Sequence, residues 1–261
     1  MTQRRPVRDE SLHYDKLSLW GAPPDAANRE RLQRSYSLVP ADTTSVLDVG
    51  CGDGASSNGL VDRGLAVVGI DPSPRALRFA AAKPAVALGD RLPFDDRSFD
   101  LVLAFEVIEH LPEPVRQRTL AEMARVAHRH ILVSTPHREA LTRSRARCDS
   151  CGATFHSSLH HHAFSAADHR GLFEGSAFEH ECSQGILEWR PSEAWARARL
   201  LAGGRYALVS AARCPRCGHV NAPTPAPPPA RRRALRLVDG LAWRLTRPEP
   251  RWMVSRFARR P

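Results

Sequence analysis

Between residues 45 and 135, short runs of β-branched apolar residues alternate with stretches whose apolar positions recur every three or four residues. Continuous apolar runs suit strands buried on both faces. The wider spacing suits helices laid across a sheet, so the alternation predicts a parallel sheet with crossover helices. The predicted strands are SVLDV (45–49), LAVVGI (65–70), AVAL (85–88), DLVLAF (100–105) and HILVST (130–135). PEPVRQRTLAEMARVA (112–127) opens on prolines, which a first helical turn tolerates, and sets Val115, Leu120, Met123 and Val126 on an approximate stripe. After residue 135 the rhythm breaks. The text there predicts a short helix at 165–173, a strand at FEHECS (178–183), a helix from Pro191 and a last strand at RYALVSA (205–211).

The run APTPAPPPA (222–230) cannot join a sheet and predicts a spacer. The expected organisation is an N-terminal extension (1–40), a main domain (41–220), a Pro-rich linker (221–230) and a basic tail (231–261). In that tail Leu237, Leu241 and Leu245 recur every four residues with Val238 and Ala242 beside them, while arginines take the other faces. Such a helix either lies on an anionic membrane surface or docks its apolar stripe on the domain. No stretch approaches the roughly 20 apolar residues of a membrane-spanning helix, and MTQRRPVRDESLHYDK lacks the apolar run of a secretory signal. The expected location is therefore the cytoplasm.

With 261 residues and 42% hydrophobic content the chain is long enough for one sizeable core plus an elaboration. The formal net charge of +10 invites a nucleic-acid reading, but much of the excess falls after Ala230, so its distribution says more than its sum.

VLDVGCGDG (46–54) ends a hydrophobic strand on Asp48 and places Gly50, Gly52 and Gly54 in the turn that follows. Glycines allow that turn to bend sharply and let a ligand lie against bare backbone. VVGIDPS (67–73) ends the second strand on Asp71, where a carboxylate can accept hydrogen bonds from both ribose hydroxyls. Loop and acid together fit several nucleoside cofactors, a nicotinamide among them.

Taken together, VLDVGCGDG, VVGIDPSP, LGDRLPFDDRSFDLVLAFEVIEHL and HILVSTPHRE resemble the class I S-adenosylmethionine-dependent methyltransferases, in particular the small-molecule group with the LPF…SFD loop. The resemblance covers about residues 43–139. It implies an α/β, Rossmann-like seven-stranded sheet, mostly parallel with an antiparallel last strand. It also implies S-adenosylmethionine as cofactor, with Gly50, Cys51 and Gly52 around the methionine moiety and Asp48 behind the loop. Asp71, followed by Pro72, falls at the ribose and Asp90 at the adenine amino group, although this chain leaves fewer residues between Asp90 and LPF than the family does. Glu106 and His110 in FEVIEHL correspond to the segment that lines the transfer pocket. His160, in HHHAFS, matches a histidine at the family's substrate mouth. It is the first candidate base for an acceptor that holds its proton tightly; His162 is the second, with His110 a further candidate. Trp20, Trp189 and Trp195 are candidates for an acceptor pocket.

CDSCG (148–152) and CPRCGH (214–219) are each C-x-x-C followed by glycine, the form of a zinc knuckle. In a reducing compartment six cysteines argue for metal or catalytic use over disulfides. Cys148, Cys151, Cys214 and Cys217 are predicted to form one structural Zn2+ site in an elaboration at about 147–165 and 213–220. If the pairs do not meet, His156 and the first pair form a different site. Cys182 falls in a predicted strand as a buried small hydrophobe.

Two functions follow. One is methyl transfer to a hydroxyl or amine of a small-molecule, glycan or lipid-linked acceptor, with the tail a possible membrane contact. The alternative is an RNA-binding or RNA-modifying methyltransferase that holds nucleic acid through its knuckles and basic charge. The chain has FEVIEH where base amino methylases commonly carry an NPPY-type string, which favours the first.

Overall fold

The five apolar runs become the parallel strands β1 (Ser45–Val49), β2 (Ala66–Asp71), β3 (Lys83–Val86), β4 (Phe99–Phe105) and β5 (Ala127–Pro136). The structure is a computed structural model, and it describes residues 20–142, 145–188, 213–221, 228–245 and 249–261. A short antiparallel hairpin pairs β6 (Arg145–Arg147) with β7 (Thr154–His156). The main sheet is completed by β8 (Phe178–Glu188) and β9 (Glu249–Arg259), giving seven strands in the order β3-β2-β1-β4-β5-β9-β8. β9 runs antiparallel to both β5 and β8, as the predicted architecture requires of one strand. The strand order reverses between β1 and β4, and a crevice forms at their carboxyl ends where the connections diverge to opposite sides.

Alternate side chains of the strands feed two cores. Leu47, Val49, Ile70, Ile131 and Val133 pack under Leu120, Met123 and Val126 of the helix Glu113–Val126. On the other face Val46, Val67, Leu101, Leu103 and Leu132 meet Leu60 and Leu32. Each such side chain withdrawn from water contributes about 1.5–3 kcal/mol, which makes the doubly covered central strands the rigid base for the loops above them.

Leu32 belongs to the helix Ala26–Tyr36, capped by Asp25, whose carboxylate accepts from the Asn28 amide at 2.8 Å. The latter part of the expected N-terminal extension is thus built into the domain. The expected basic tail needs a larger correction. Its last portion is β9, with Trp252, Met253, Val254 and Phe257 buried, so it forms an inner strand of the sheet. The interleaved arginines hid this strand. Arg259 stacks over Phe178 and donates to the carbonyls of Ala124 and Ala127, and Arg256 pairs with Glu181 at 2.5 Å. RYALVSA and the helix expected from Pro191 lie outside the described residues; β9 holds the antiparallel place that RYALVSA was expected to fill.

The helix Pro229–Leu245 is present, with Leu235 buried but Leu237 and Leu241 of the expected stripe exposed. Among the described residues no helix is long and apolar enough to cross a membrane. Cys182, expected to be buried, is half-buried; among the described residues β8 has a neighbouring strand, β9, on one side only.

Candidate functional site

The turn after β1 is fastened to β2 by two hydrogen bonds, from the Gly50 and Cys51 amides to the Ile70 carbonyl at 2.8 and 2.9 Å. Gly50 sits at φ +73°, and a Cβ added there would lie 2.6 Å from a Val107 methyl. Both facts require glycine. Asp71 closes β2 with its two carboxylate oxygens divided: Oδ2 accepts from the Gly52 amide at 3.0 Å and Oδ1 from the Ser73 amide at 2.8 Å. Burial raises its pKa against these donors. Beneath the turn, buried Asp48 accepts the hydroxyls of Ser56 and Ser57 on Oδ2, at 2.7 and 2.5 Å, while Oδ1 has no partner among the described residues. Burial pushes the Asp48 carboxyl up to about 6.

Above the turn lies a cavity of about 370 Å³. Gly50, Cys51, Gly52, Asp71 and Pro72 form one side of it, and Asp90, Glu106 and His110 border the rest. The structure therefore brings the predicted cofactor-binding residues to one cavity, with Asp48 directly behind. Asp90 keeps its place through Arg118, which donates to Oδ2 from Nη2 and Nε at 2.8 and 3.1 Å. Trp20 joins the lining, its ring 3.0 Å from where a Gly52 Cβ would stand. Trp189 and Trp195 lie outside the described residues.

Glu106 adopts φ +59°, a left-handed conformation that a glutamate takes only under constraint. Its amide donates to the Ser134 carbonyl at 3.0 Å, and its Oε1 accepts the Ser134 hydroxyl at 2.9 Å. Arg31, buried on the N-terminal helix, donates to the same hydroxyl at 3.4 Å and stands 4.0 Å from Glu106. Sequence reasoning assigned Arg31 no role, because nothing around it in the chain signals that its helix folds back over β4 and β5.

The three candidate bases separate. Of these, His110 lines the cavity; burial, then the neighbouring His160, holds its ring well below the usual histidine range. His160 is turned aside: its Nδ1 is hydrogen-bonded to the Glu139 carboxylate, and its ring stands edge-on to His110 at 4.4 Å and stacked on His156 at 4.8 Å. His162 is in another cavity with Arg116 and Phe164, 3.7 Å from Glu113. The His161 amide is tied to the Glu109 carbonyl at 2.8 Å, with its two neighbours in different surroundings on either side. Glu109 itself, to which the sequence pattern gives no role in FEVIEHL, is 1% exposed and has no hydrogen-bond partner on either carboxylate oxygen among the described residues. Burial, then the Glu106 charge, raises its pKa well above the usual carboxylate range.

The two C-x-x-C turns meet. Cys148 and Cys217 approach to 3.5 Å and Cys151 and Cys214 to 3.7 Å, with all four sulfurs within 4.8 Å of one another. Gly152 and Gly218 follow at φ +71° and +75°, and their amides return to the carbonyls of Cys148 and Cys214 at 3.0 and 2.9 Å. Asn221 spans the pair, accepting from the Asp149 amide at 3.2 Å and donating to the Arg147 carbonyl at 2.7 Å. The alternative site on His156 is not formed, since that ring faces Glu139.

Comparison with known proteins bears on the domain that carries the cavity. Residues 47–130 match the family model described as "Methyltransferase domain". An uncharacterised methyltransferase of Mycobacterium tuberculosis (strain H37Rv) is 40% identical over 94 residues, covering 34% of this chain and 37% of that relative. A ubiquinone biosynthesis O-methyltransferase of Ralstonia nicotianae is 35% identical over 127 residues, covering 43% of this chain and 52% of the relative. The match thus spans about a third to a half of the curated relatives' own length. Among solved structures, one from the complex between the Haloferax volcanii Trm112 methyltransferase activator and a methyltransferase superposes with a TM-score of 0.56 at 18% identity. It covers 98% of this chain and 99% of its own. The fold is that of the Rossmann-like methyltransferases.

Proposed function

We propose that the protein is an S-adenosylmethionine-dependent methyltransferase whose acceptor is a hydroxyl or amine of a small, glycan or lipid-linked molecule. The observation that carries this reading is the cavity bounded by the glycine turn and Asp71. Its residues fit the adenosyl group: glycine backbone offers a flat wall that a Cβ would fill, and buried Asp48 retains an acceptor oxygen without a partner among the described residues. In this reading Asp71 receives the ribose hydroxyls, Asp90 meets the adenine edge, and Gly50 to Gly52 pack along the methionine portion.

When bound, S-adenosylmethionine supplies a methyl group on a positively charged sulfur, open to in-line displacement. The chain's own part is alignment and exclusion of water, which can be worth about 7–11 kcal/mol of the barrier. Trp20 and Val107 screen the cavity, and Arg31 with Ser134 fixes the Glu106 carboxylate at its wall. A hydroxyl acceptor must shed a proton, and the wall offers two groups able to take it, the Glu106 carboxylate and the neutral ring of His110. The relative named for O-methyl transfer favours a hydroxyl.

We further infer that Cys148, Cys151, Cys214 and Cys217 hold Zn2+ as a structural staple. Four thiolates suit that ion and leave no coordination place for water. Calorimetry with S-adenosylhomocysteine is the test of the main reading: one equivalent should bind, and nicotinamide dinucleotides should not compete. Absence of binding, or preference for a nicotinamide, overturns it.

A further inference from the structure

The geometry points to a second cation site, made by Glu109, His110 and His160 against the wall of the cofactor cavity and distinct from the four cysteines. One ligand atom from each lies within 4.8 Å of the others. Glu109 is the independent sign of a missing ligand. It is 1% exposed, its two oxygens have no hydrogen-bond partner among the described residues, and its Oε1 lies 3.9 Å from Nε2 of His110. Burying a carboxyl group unpartnered is costly, and a bound cation removes that cost.

A second triad, Glu139, His156 and His160, overlaps the first through His160, and the hydrogen bonds decide between them. Nδ1 of His156 accepts the amides of Ser158 and His160 at 3.3 and 3.2 Å, so its proton sits on Nε2, 3.8 Å from Glu139. Glu139 also holds Nδ1 of His160, leaving Nε2 of that ring for an ion. Glu139 is therefore the carboxylate that orients a ligating histidine, the usual partner behind such rings. His110 is also hydrogen-bonded to the Ser158 backbone.

Two imidazoles and one carboxylate suit a transition-metal dication of the Fe2+, Mn2+ or Zn2+ kind, whereas the all-sulfur site suits zinc. Phe155 and Leu159 pack in one small core with Cys148 and Cys214, so the cysteine staple supports the segment that delivers His160. Because His110 also lines the cavity, an ion held by these residues would lie at its wall. The ligand class that fits is an acceptor with a hydroxyl or two adjacent oxygens, whose hydroxyl a cation would acidify. This role rests on the methyltransferase reading; the existence of the site does not.

The test uses the full chain, treated with a mild chelator and titrated with Mn2+, the free ion being followed by electron paramagnetic resonance. Wild type should bind one equivalent. Glu109→Gln and His160→Gln should each weaken binding at least about tenfold, Glu139→Gln by about tenfold, and His162→Ala not at all. Circular dichroism checks folding, and where Glu109→Gln fails to fold, His160→Gln decides. No Mn2+ binding, or binding unchanged in the folded variants, overturns the site. Wild-type binding of S-adenosylhomocysteine is measured alongside: Mn2+ uptake without it keeps the site and removes the methyltransferase role, while its binding without Mn2+ uptake does the reverse.

Discussion

The amide of Gly52 donates to Oδ2 of Asp71 at 3.0 Å, tying the turn after β1 to the residue that ends β2. One carboxylate thus shapes the loop and faces the cavity. Asp71→Ala removes both functions. Affinity for S-adenosylhomocysteine is expected to fall about 10- to 100-fold, equivalent to roughly 1.4–2.8 kcal/mol; a change within twofold in calorimetry would show that Asp71 does not bind the ligand.

Gly50→Ala tests the turn itself. Its φ of +73° and the 2.6 Å approach of Val107 to a built Cβ act together. The backbone alone costs about 1–2 kcal/mol, so thermal melting should show Tm lower by at least about 3 °C. An unchanged Tm would mean that the turn relaxes freely.

Cys148→Ser removes one sulfur from the four-cysteine cluster. Elemental analysis should find about one zinc per chain in wild type and a large loss in the variant. The melting transition should fall too, since a structural zinc contributes on the order of 10 kcal/mol to folding. Equal zinc content in both proteins would exclude the assignment.

His169 supplies a pH prediction independent of the cavity. Its Nε2 and Nδ1 meet the hydroxyls of Thr135 and Ser255, each at 2.8 Å, and burial lowers its pKa to about 4. An unfolded histidine titrates near 6.5, so the folded state resists protonation. Its share of stability is complete above about pH 6.5 and is lost as pH falls toward 4, up to about 3 kcal/mol in all. Replacing it, His169→Gln, should flatten the fall in Tm between pH 6.5 and 4 relative to wild type. Parallel curves for the two proteins would contradict this.

The sequence alone determined the parallel strands and the turn between β1 and β2, because these depend on neighbours in the chain: apolar runs, glycines that reach positive φ, an acid at a strand end. It also determined the C-x-x-C turns, whose sulfurs need only local spacing to point one way. Tertiary structure decided the rest. β9 resembles a basic tail in sequence because its arginines mask an apolar core, and its partners β5 and β8 lie far away in the chain. Arg31 reaches Ser134 across 103 positions, a distance no local pattern encodes. The histidines were legible as a cluster, but which of them face the cavity depends on the Glu109 and Glu139 contacts. Periodicity and spacing report the covalent neighbourhood of a residue; burial and orientation are set by the segments that pack against it.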